Sequence, residues 1–139
     1  MKYFENRIIK IYTLYNPISK DIFWVGQTAG ELEVRLKGHI RESEENAVSN
    51  KREIIKSIIS FGEKPIIEEV ESFTCNSIND KILINYMEEY WIGQYKAWGF
   101  PLQNVHGGRI EYINIEKRLL ERNHFNSTYG KGLSHEKAN

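Results

Sequence analysis

The sequence contains a single cysteine and has no hydrophobic run long enough to cross a membrane. Because a lone cysteine has no partner in the chain, Cys75 excludes an intrachain disulfide and a cysteine-based zinc site. A bilayer requires roughly 20 consecutive apolar residues, and the first ten residues lack the apolar core of a signal peptide. These absences predict a protein of a reducing compartment, the cytoplasm, with no membrane partner.

The sequence also lacks an excess of charge of either sign, since 19 lysines and arginines balance 19 aspartates and glutamates. Proteins that coat nucleic acid non-specifically depend on many neutralised phosphates, and a neutral chain is unlike them. Basic side chains outnumber acidic ones after residue 90, so any surface that binds a polyanion is expected to be local. A length of 139 residues predicts one domain with a single core.

The order of hydrophobic periodicities predicts strand, strand, helix, helix, strand, helix. Residues 7–16 and 22–28 are apolar runs of strand length joined by a short turn, which favours an antiparallel hairpin. Helical periodicity follows at 31–40 and 51–61, a third strand is predicted at 65–73, and a long helix extends from residue 77 to about residue 98. The predicted fold class is α+β, with a small, mostly antiparallel three-stranded sheet flanked by helices.

Local signals mark where these elements end and where the chain approaches itself. Gly62 is expected to end the second helix, and Ser77 with Asp80 resembles a capping box in which Asp replaces Glu. Gly26 interrupts the second strand, which indicates a bulge or a close backbone approach. The second helix is predicted to bury four isoleucines: Ile54, Ile55, Ile58 and Ile59.

Side chains on two of the predicted helices are candidates for anion or metal chemistry. The guanidinium of Arg35 matches phosphate oxygens in a bidentate manner, and His39, one turn later, offers a proton donor or acceptor. Glu88 and Glu89 point about 100° apart on a helix, so one of them is expected to face a site, where a carboxylate suits Mg²⁺. Solvated helix faces commonly carry both patterns, so spacing alone supports only a soluble α+β domain.

The first half of the chain, taken in order, resembles the start of the GIY-YIG nuclease family. In that family, a GIY strand and a YIG strand form a hairpin, and the next helix carries an arginine and then a histidine. Tyr12 stands at the end of the first motif and Gly26 at the end of the second, while Arg35 and His39 occupy the helix positions.

The second half of the chain resembles the same family. Glu88 precedes Tyr90-Trp91-Ile92 at the spacing of the family's glutamate helix, which makes Glu88 the implied metal ligand. Asn104 and the pair Gly107-Gly108 resemble the asparagine and glycines that close the domain. The resemblance covers residues 8–108, so residues 1–108 are interpreted as a GIY-YIG nuclease domain.

The sequence departs from the family at both strand motifs. Lys10 replaces the glycine of the first motif, which a regular strand tolerates. Trp24 replaces the tyrosine of the second motif, which in the family offers a hydroxyl to the active site. Because an indole has an N–H donor but no hydroxyl, Tyr12 is expected to be the remaining catalytic tyrosine.

The resemblance implies a divalent-metal-dependent DNA endonuclease that hydrolyses phosphodiester bonds with Mg²⁺ or Mn²⁺ held by Glu88. Arg35 would neutralise charge that builds on the phosphate. Tyr12, aided by His39, would position or deprotonate the attacking water, for which the metal and Arg35 would have to lower its pKa from about 10. Three further residues would line or shape the cleft: Trp24, Gly26 and Asn104.

Two other functions stay open. Trp24 suits a catalytically weakened GIY-YIG domain that acts as a nucleic-acid-binding module, and the neutral charge suits an interaction module with no nucleic-acid role. A site that had drifted should have lost more than one member. The nuclease is favoured because five residues are present together: Tyr12, Arg35, His39, Glu88 and Asn104.

Residues 109–139 are interpreted as a carboxy-terminal helix and polar tail that the nuclease domain does not need. Residues 112–122 are predicted to form an amphipathic helix, and residues 126–135, NSTYGKGLSH, resemble the small DNA-binding modules of homing endonucleases. In such a module, Lys131 would contact phosphate and Tyr129 would insert or stack. A frayed polar chain end is the commoner explanation. One such module offers only a small surface for binding DNA, which favours the interpretation that the chain belongs to a longer protein.

Overall fold

The computed structural model describes residues 6–45 and 49–104. In chain order, the elements are β1 (Arg7–Asn16), β2 (Asp21–Thr28), α1 (Leu32–Ser43), α2 (Asn50–Ser60), β3 (Ile66–Cys75) and α3 (Ile78–Ala97). The three strands form an antiparallel sheet in the order β2-β1-β3. The α+β class and the predicted order of the six elements are therefore confirmed.

Strand β1 is the central strand, and its register with β2 determines which side chains share a face. Tyr12 pairs with Gly26, and Leu14 pairs with Trp24. Directly paired residues of antiparallel strands point to the same face of a sheet. Tyr12 and the two residues of the second strand motif therefore lie on one face.

Both faces of the sheet are covered, which explains why four consecutive residues of β1, Ile11 to Leu14, are buried. One cluster lies between the sheet and α3: Ile9, Ile11, Val25, Phe73, Cys75, Ile84, Met87 and Ile92. The other lies against α1 and α2: Tyr12, Leu14, Phe23, Leu36, Ile55 and Ile58. None of the helices within residues 6–45 and 49–104 is long and apolar enough to span a membrane.

The expected helix boundaries are present, but the burial of α2 differs from the prediction. Gly62 has a φ of 83° just after α2, a conformation that favours glycine, and Ser77 caps α3 by accepting from the backbone N–H of Asp80. Of the four isoleucines, Ile55 and Ile58 are buried, whereas Ile59 is 38 % exposed. The prediction for Ile59 was wrong because α2 buries only a narrow stripe, on which residues three apart fall.

Candidate active site

The hydroxyl of Tyr12 is the point at which the predicted catalytic residues of β1 and α1 meet. Tyr12 is only 1 % exposed. Its hydroxyl oxygen lies 2.7 Å from Nε2 of His39 and accepts a hydrogen bond from Nε of Arg35 at 3.3 Å. Arg35 and His39 are four residues apart on α1, so both side chains lie on the same helix face. Three of the four predicted catalytic residues therefore meet at the hydroxyl oxygen of Tyr12.

Gly26 makes room for this hydroxyl from the neighbouring strand. A Cβ at position 26 would lie 2.5 Å from the Tyr12 hydroxyl oxygen and 2.7 Å from Cζ of the same ring. No side chain fits at such distances unless the ring moves. Gly26 is therefore the site of a close approach, while the register shift of the β1–β2 pair lies elsewhere, between Leu14 and Tyr15.

Glu42 joins these residues, and the sequence interpretation did not include it. One carboxylate oxygen of Glu42 lies 3.4 Å from Nη1 of Arg35, and the other lies 3.9 Å from Nδ1 of His39. Positions 35, 39 and 42 fall on one face of a helix, and this spacing is the signal in the sequence that could have identified Glu42. The four residues Tyr12, Arg35, His39 and Glu42 form a closed ring of contacts, called here the Tyr12 cluster.

His39 is an electrically neutral member of the Tyr12 cluster. Burial, followed by the positive charges of Arg35 and Lys51, lowers the pKa of His39 from 6.5 to about 3. Its Nδ1 is buried without a hydrogen-bond partner and faces Glu42. The described residues offer the Tyr12 hydroxyl no acceptor other than His39. We therefore assign the proton of the imidazole to Nδ1 and let Nε2 accept the phenolic proton.

Tyr12 remains protonated in the protein. Burial raises the pKa of its hydroxyl above 10, and the charges of Glu88 and Glu42 act in the same direction. The Arg35 guanidinium lowers this pKa, as the sequence interpretation expected, but burial outweighs it. Arg35 alone therefore does not produce a phenolate, and proton transfer from Tyr12 depends on the acceptor at His39.

Glu88 approaches the cluster from α3, on the other side of β2. Its Oε1 accepts a hydrogen bond of 2.7 Å from the side-chain amide of Gln27, the residue next to Gly26. Burial raises the pKa of Glu88, and the Gln27 hydrogen bond opposes that shift. Among the described residues, Glu88 makes no hydrogen bond with Arg35 or Tyr12. The negative charge of Glu88 raises the pKa of Tyr12. The two residues are also linked through β2, where Gln27 contacts Glu88 and the adjacent Gly26 lies against Tyr12.

A polar network on α3 orients the amide of Gln27 toward Glu88. The Gln27 amide nitrogen donates to Glu88 and to Asn85, the latter at 2.8 Å, and its oxygen accepts from Lys81. Lys81 also donates to Asn85 at 3.2 Å. Lys81, Asn85 and Glu88 are spaced at i, i+4 and i+7 on α3, a stripe that the sequence interpretation missed.

The ligands available at Glu88 fit a metal ion whose coordination would be completed by substrate and water oxygens, and not by protein side chains alone. Within the part of the chain that the structure describes, no three His, Cys, Asp or Glu side chains come together as metal ligands. Glu88 uses Oε1 for Gln27, and Oε2 makes no hydrogen bond with the described residues. Mg²⁺ commonly binds one carboxylate together with water and phosphate oxygens, so a single available carboxylate oxygen is compatible with it.

Asn104 acts on the strand and does not touch the Tyr12 cluster. Its side-chain amide donates to the carbonyl of Val25 at 2.8 Å, and its side-chain oxygen accepts from the N–H of Val25 at 3.1 Å. Since β2 is an edge strand, Asn104 satisfies its outer backbone groups and holds the segment with Trp24 and Gly26. The Gly107-Gly108 pair, the expected helix at 112–122 and the tail module at 126–135 lie outside the described residues.

Trp24 lies on the same face as Tyr12, packed against the cluster that includes Leu36 and Ile55. The ammonium of Lys51, at the start of α2, lies 4.4 Å from the centroid of the Trp24 ring. No hydrogen bond joins the indole to Tyr12 or His39 among the described contacts. Trp24 thus borders the Tyr12 cluster, and its partner is a lysine that the sequence interpretation did not identify.

Comparisons with protein-family models, with curated proteins and with solved structures found no match to this chain. The resemblance to GIY-YIG nucleases therefore rests on the sequence motifs alone. The structure brings an arginine and a histidine to one hydroxyl, places a glycine where a Cβ would clash with that hydroxyl, and places a carboxylate on another helix.

Proposed function

We propose that this protein is a divalent-metal-dependent DNA endonuclease of the GIY-YIG type. The observation that carries the proposal is the meeting of Arg35 and His39 at the buried hydroxyl of Tyr12, directly opposite Gly26. A cluster of a phenol, a neutral imidazole and a guanidinium suits proton transfer beside an anion. The order of motifs in the sequence predicts the same three residues as catalytic.

Arg35 is proposed to bind the scissile phosphate. Its Nε donates to Tyr12 and its Nη1 pairs with Glu42, which leaves other N–H groups of the guanidinium for phosphate oxygens. The side chain is 33 % exposed, so a ligand can reach it. A guanidinium held by two protein contacts is oriented in advance, which lowers the entropic cost of binding and stabilises negative charge in the transition state.

Tyr12 and His39 are proposed to take the proton of the attacking water. As the water gives its proton to the phenolic oxygen, Tyr12 passes its own proton to Nε2 of His39. The pKa of His39 is low partly because Arg35 and Lys51 are positively charged nearby. A bound phosphate offsets those charges, so His39 becomes a stronger base when DNA is present.

Glu88 is proposed to hold the Mg²⁺ or Mn²⁺ ion, which when bound would polarise the phosphate and stabilise the leaving oxygen. Gln27 keeps the Glu88 carboxylate in place through its hydrogen bond and favours its ionised form. The Lys81 ammonium orients the Gln27 amide from the far side. Gln27 and Lys81 would thus hold the carboxylate so that Oε2 of Glu88 is available to the metal.

The direct test is incubation of supercoiled plasmid with the pure protein, with Mg²⁺ or Mn²⁺ and with EDTA. We expect nicked or linear products only with the metal, and we expect Glu88→Gln to abolish them because it removes the anionic ligand. Glu89→Gln is the matched control, since it makes the same change one position along α3 and should retain most activity. Absence of cleavage with either metal, or equal cleavage by Glu88→Gln, would contradict the proposal.

A catalytically weakened DNA-binding module is the second candidate. It is favoured by the indole at position 24, where the family has a hydroxyl, and by the raised pKa of Tyr12. Such a module would shift a labelled DNA duplex in a gel, and the plasmid would remain intact under every metal condition. The plasmid assay and the gel assay together therefore separate the two candidates.

A further inference from the structure

Lys51 is a cation at the border of the Tyr12 cluster to which the proposed mechanism assigns no ligand. It is half-buried in the first turn of α2, and its ammonium lies 4.4 Å from the centroid of the Trp24 ring. Trp24 in turn packs against the same buried residues as Tyr12. The indole therefore holds a positive charge on the sheet face that carries the catalytic hydroxyl.

Lys51 lacks the carboxylate partner that neighbouring basic residues have. Arg35 pairs with Glu42, Arg52 pairs with Glu45, and Lys56, on the same helix, pairs with Glu53. No carboxylate of residues 6–45 and 49–104 forms an ion pair with Lys51, and its ammonium lies over the indole of Trp24. A partly desolvated ammonium without an anion is costly, and binding an anion would offset that cost.

Electrostatics around Lys51 agree with an anion site. Burial lowers the pKa of Lys51, Arg35 and Arg52 lower it further, and Glu42 opposes them. Lys51 and Arg35 both disfavour a proton on His39. Glu42 carries one negative charge near two cations, Arg35 and Lys51, and its ion pair is with Arg35.

We propose that Lys51, held in place by Trp24, binds a backbone phosphate of DNA adjacent to the phosphate bound by Arg35. This assignment rests on the proposed nuclease function and adds a second phosphate contact to that site. In this assignment, the indole of Trp24 orients the Lys51 ammonium and does not take over the role of the tyrosine hydroxyl that the family has at this position. A phosphate contact positions a strand without recognising its bases, so the effect of Lys51 on affinity is independent of DNA sequence.

The test measures binding of a short fluorescein-labelled DNA duplex by anisotropy in EDTA at several salt concentrations. Each neutralised phosphate contributes about 0.9 to the slope of log affinity against log salt. Lys51→Met should weaken binding and reduce that slope by about 0.9, while Lys51→Arg should keep the wild-type slope. Lys56→Met is the matched control, because it removes the same charge from an ion-paired lysine of α2, and it should bind like the wild type.

Two further measurements separate a phosphate contact from a structural role. With Mg²⁺, Lys51→Met should raise KM for plasmid cleavage because a phosphate contact is lost, whereas Lys51→Arg, which keeps the positive charge beside the indole, should keep the wild-type KM. Trp24→Leu should reduce the salt slope as Lys51→Met does, and the double variant should show no additional loss. Each variant is first checked by thermal unfolding, and Lys51→Gln replaces Lys51→Met if the latter does not fold.

The failure of this inference is distinguishable from the failure of the proposed function. A wild-type protein that neither binds nor cleaves DNA would overturn the nuclease itself. A wild-type protein that binds and cleaves DNA, with an unchanged salt slope in Lys51→Met, would overturn only the assignment of Lys51. An equal loss of slope in Lys56→Met would also overturn it, because the effect would then be that of net charge.

Discussion

At the scale of single residues, the chemistry depends on where one proton resides. The Tyr12 hydroxyl accepts from Arg35 and is paired with Nε2 of His39, so the phenolic proton has a defined acceptor. Burial keeps the phenol protonated and the imidazole neutral. In the proposed mechanism, the pair would move a proton when a bound phosphate changes the local charge.

Replacement of Gly26 by alanine should displace the Tyr12 ring and disturb the site. The new Cβ would lie 2.5 Å from the Tyr12 hydroxyl, so the ring must move and its contacts with His39 and Arg35 must break. Overpacking of this kind costs about 1–3 kcal/mol, and cleavage should be lost. Gly30→Ala is the control, because a Cβ there meets only Thr28 Oγ1 at 3.8 Å. Urea unfolding and the plasmid assay give the comparison, and equal behaviour of the two variants would contradict the geometry.

The low pKa of His39 predicts how stability changes with pH. The folded-state pKa is about 3, whereas the unfolded value is about 6.5. Between these values the unfolded chain binds the proton and the folded chain does not, so the contribution is complete above pH 6.5 and is lost as pH falls toward 3. This term changes the free energy of unfolding by at most about 1.4 kcal/mol per pH unit.

The variant His39→Gln removes the titrating group and should flatten the curve of unfolding free energy against pH in that window. Urea unfolding at several pH values between 3 and 7 measures it. The wild type and the variant share the carboxylates that titrate in the same range, so their difference isolates His39. Parallel curves for the two proteins would mean that His39 is not a neutral buried group.

At the scale of elements, two helices and one strand edge bring the site together. Helix α1 supplies Arg35, His39 and Glu42 from one stripe, and α3 supplies Lys81, Asn85 and Glu88 from another. Strand β2 lies between them, and its edge is closed by Asn104. A displacement of this edge would therefore move Gly26, which lies against Tyr12, and Gln27, which contacts Glu88.

Substitution of Asn104 by aspartate should loosen β2. The aspartate keeps an acceptor for the N–H of Val25 but loses the donor to its carbonyl and adds a charge against that carbonyl. Leaving a partly buried backbone group unsatisfied costs about 1–3 kcal/mol, and the free energy of urea unfolding should fall by that amount. Gln103→Ala is the control, because among the described residues its side chain donates to the carbonyl of Pro101 and not to β2. An Asn104→Asp protein as stable as this control would show that the edge contacts contribute nothing.

The elements could be predicted from the sequence because periodicity is a local property. Residues 7–16 were predicted as a strand and β1 has the same bounds, while β3 extends to Cys75, two residues past the prediction. Sequence order also identified Tyr12, Arg35 and His39, which do meet. The pairing of Lys51 with Trp24 and of Gln27 with Glu88 could not be predicted, because those contacts join elements that only tertiary packing brings together.

At the scale of the whole molecule, charge is divided unevenly between the described part and the rest. Residues 6–45 and 49–104 carry 12 basic and 14 acidic side chains, whereas residues 105–139 carry 6 basic and 4 acidic side chains. Apart from the cations Arg35 and Lys51, the described part therefore has little net attraction for DNA. We expect residues 109–139 to supply additional phosphate contacts, in agreement with the resemblance of residues 126–135 to small DNA-binding modules.

Deletion of residues 109–139 tests this division between catalysis and binding. The shortened protein should bind the labelled duplex more weakly, with a smaller slope of log affinity against log salt, because fewer phosphates are neutralised. Its unfolding free energy in urea and its requirement for Mg²⁺ should be unchanged, since the Tyr12 cluster and Glu88 lie within residues 12–88. A full-length variant with Lys131→Met should show a part of the same loss of slope. If the shortened protein unfolds, residues 112–122 belong to the core instead, and if its affinity is unchanged, DNA binding depends on the active-site face alone.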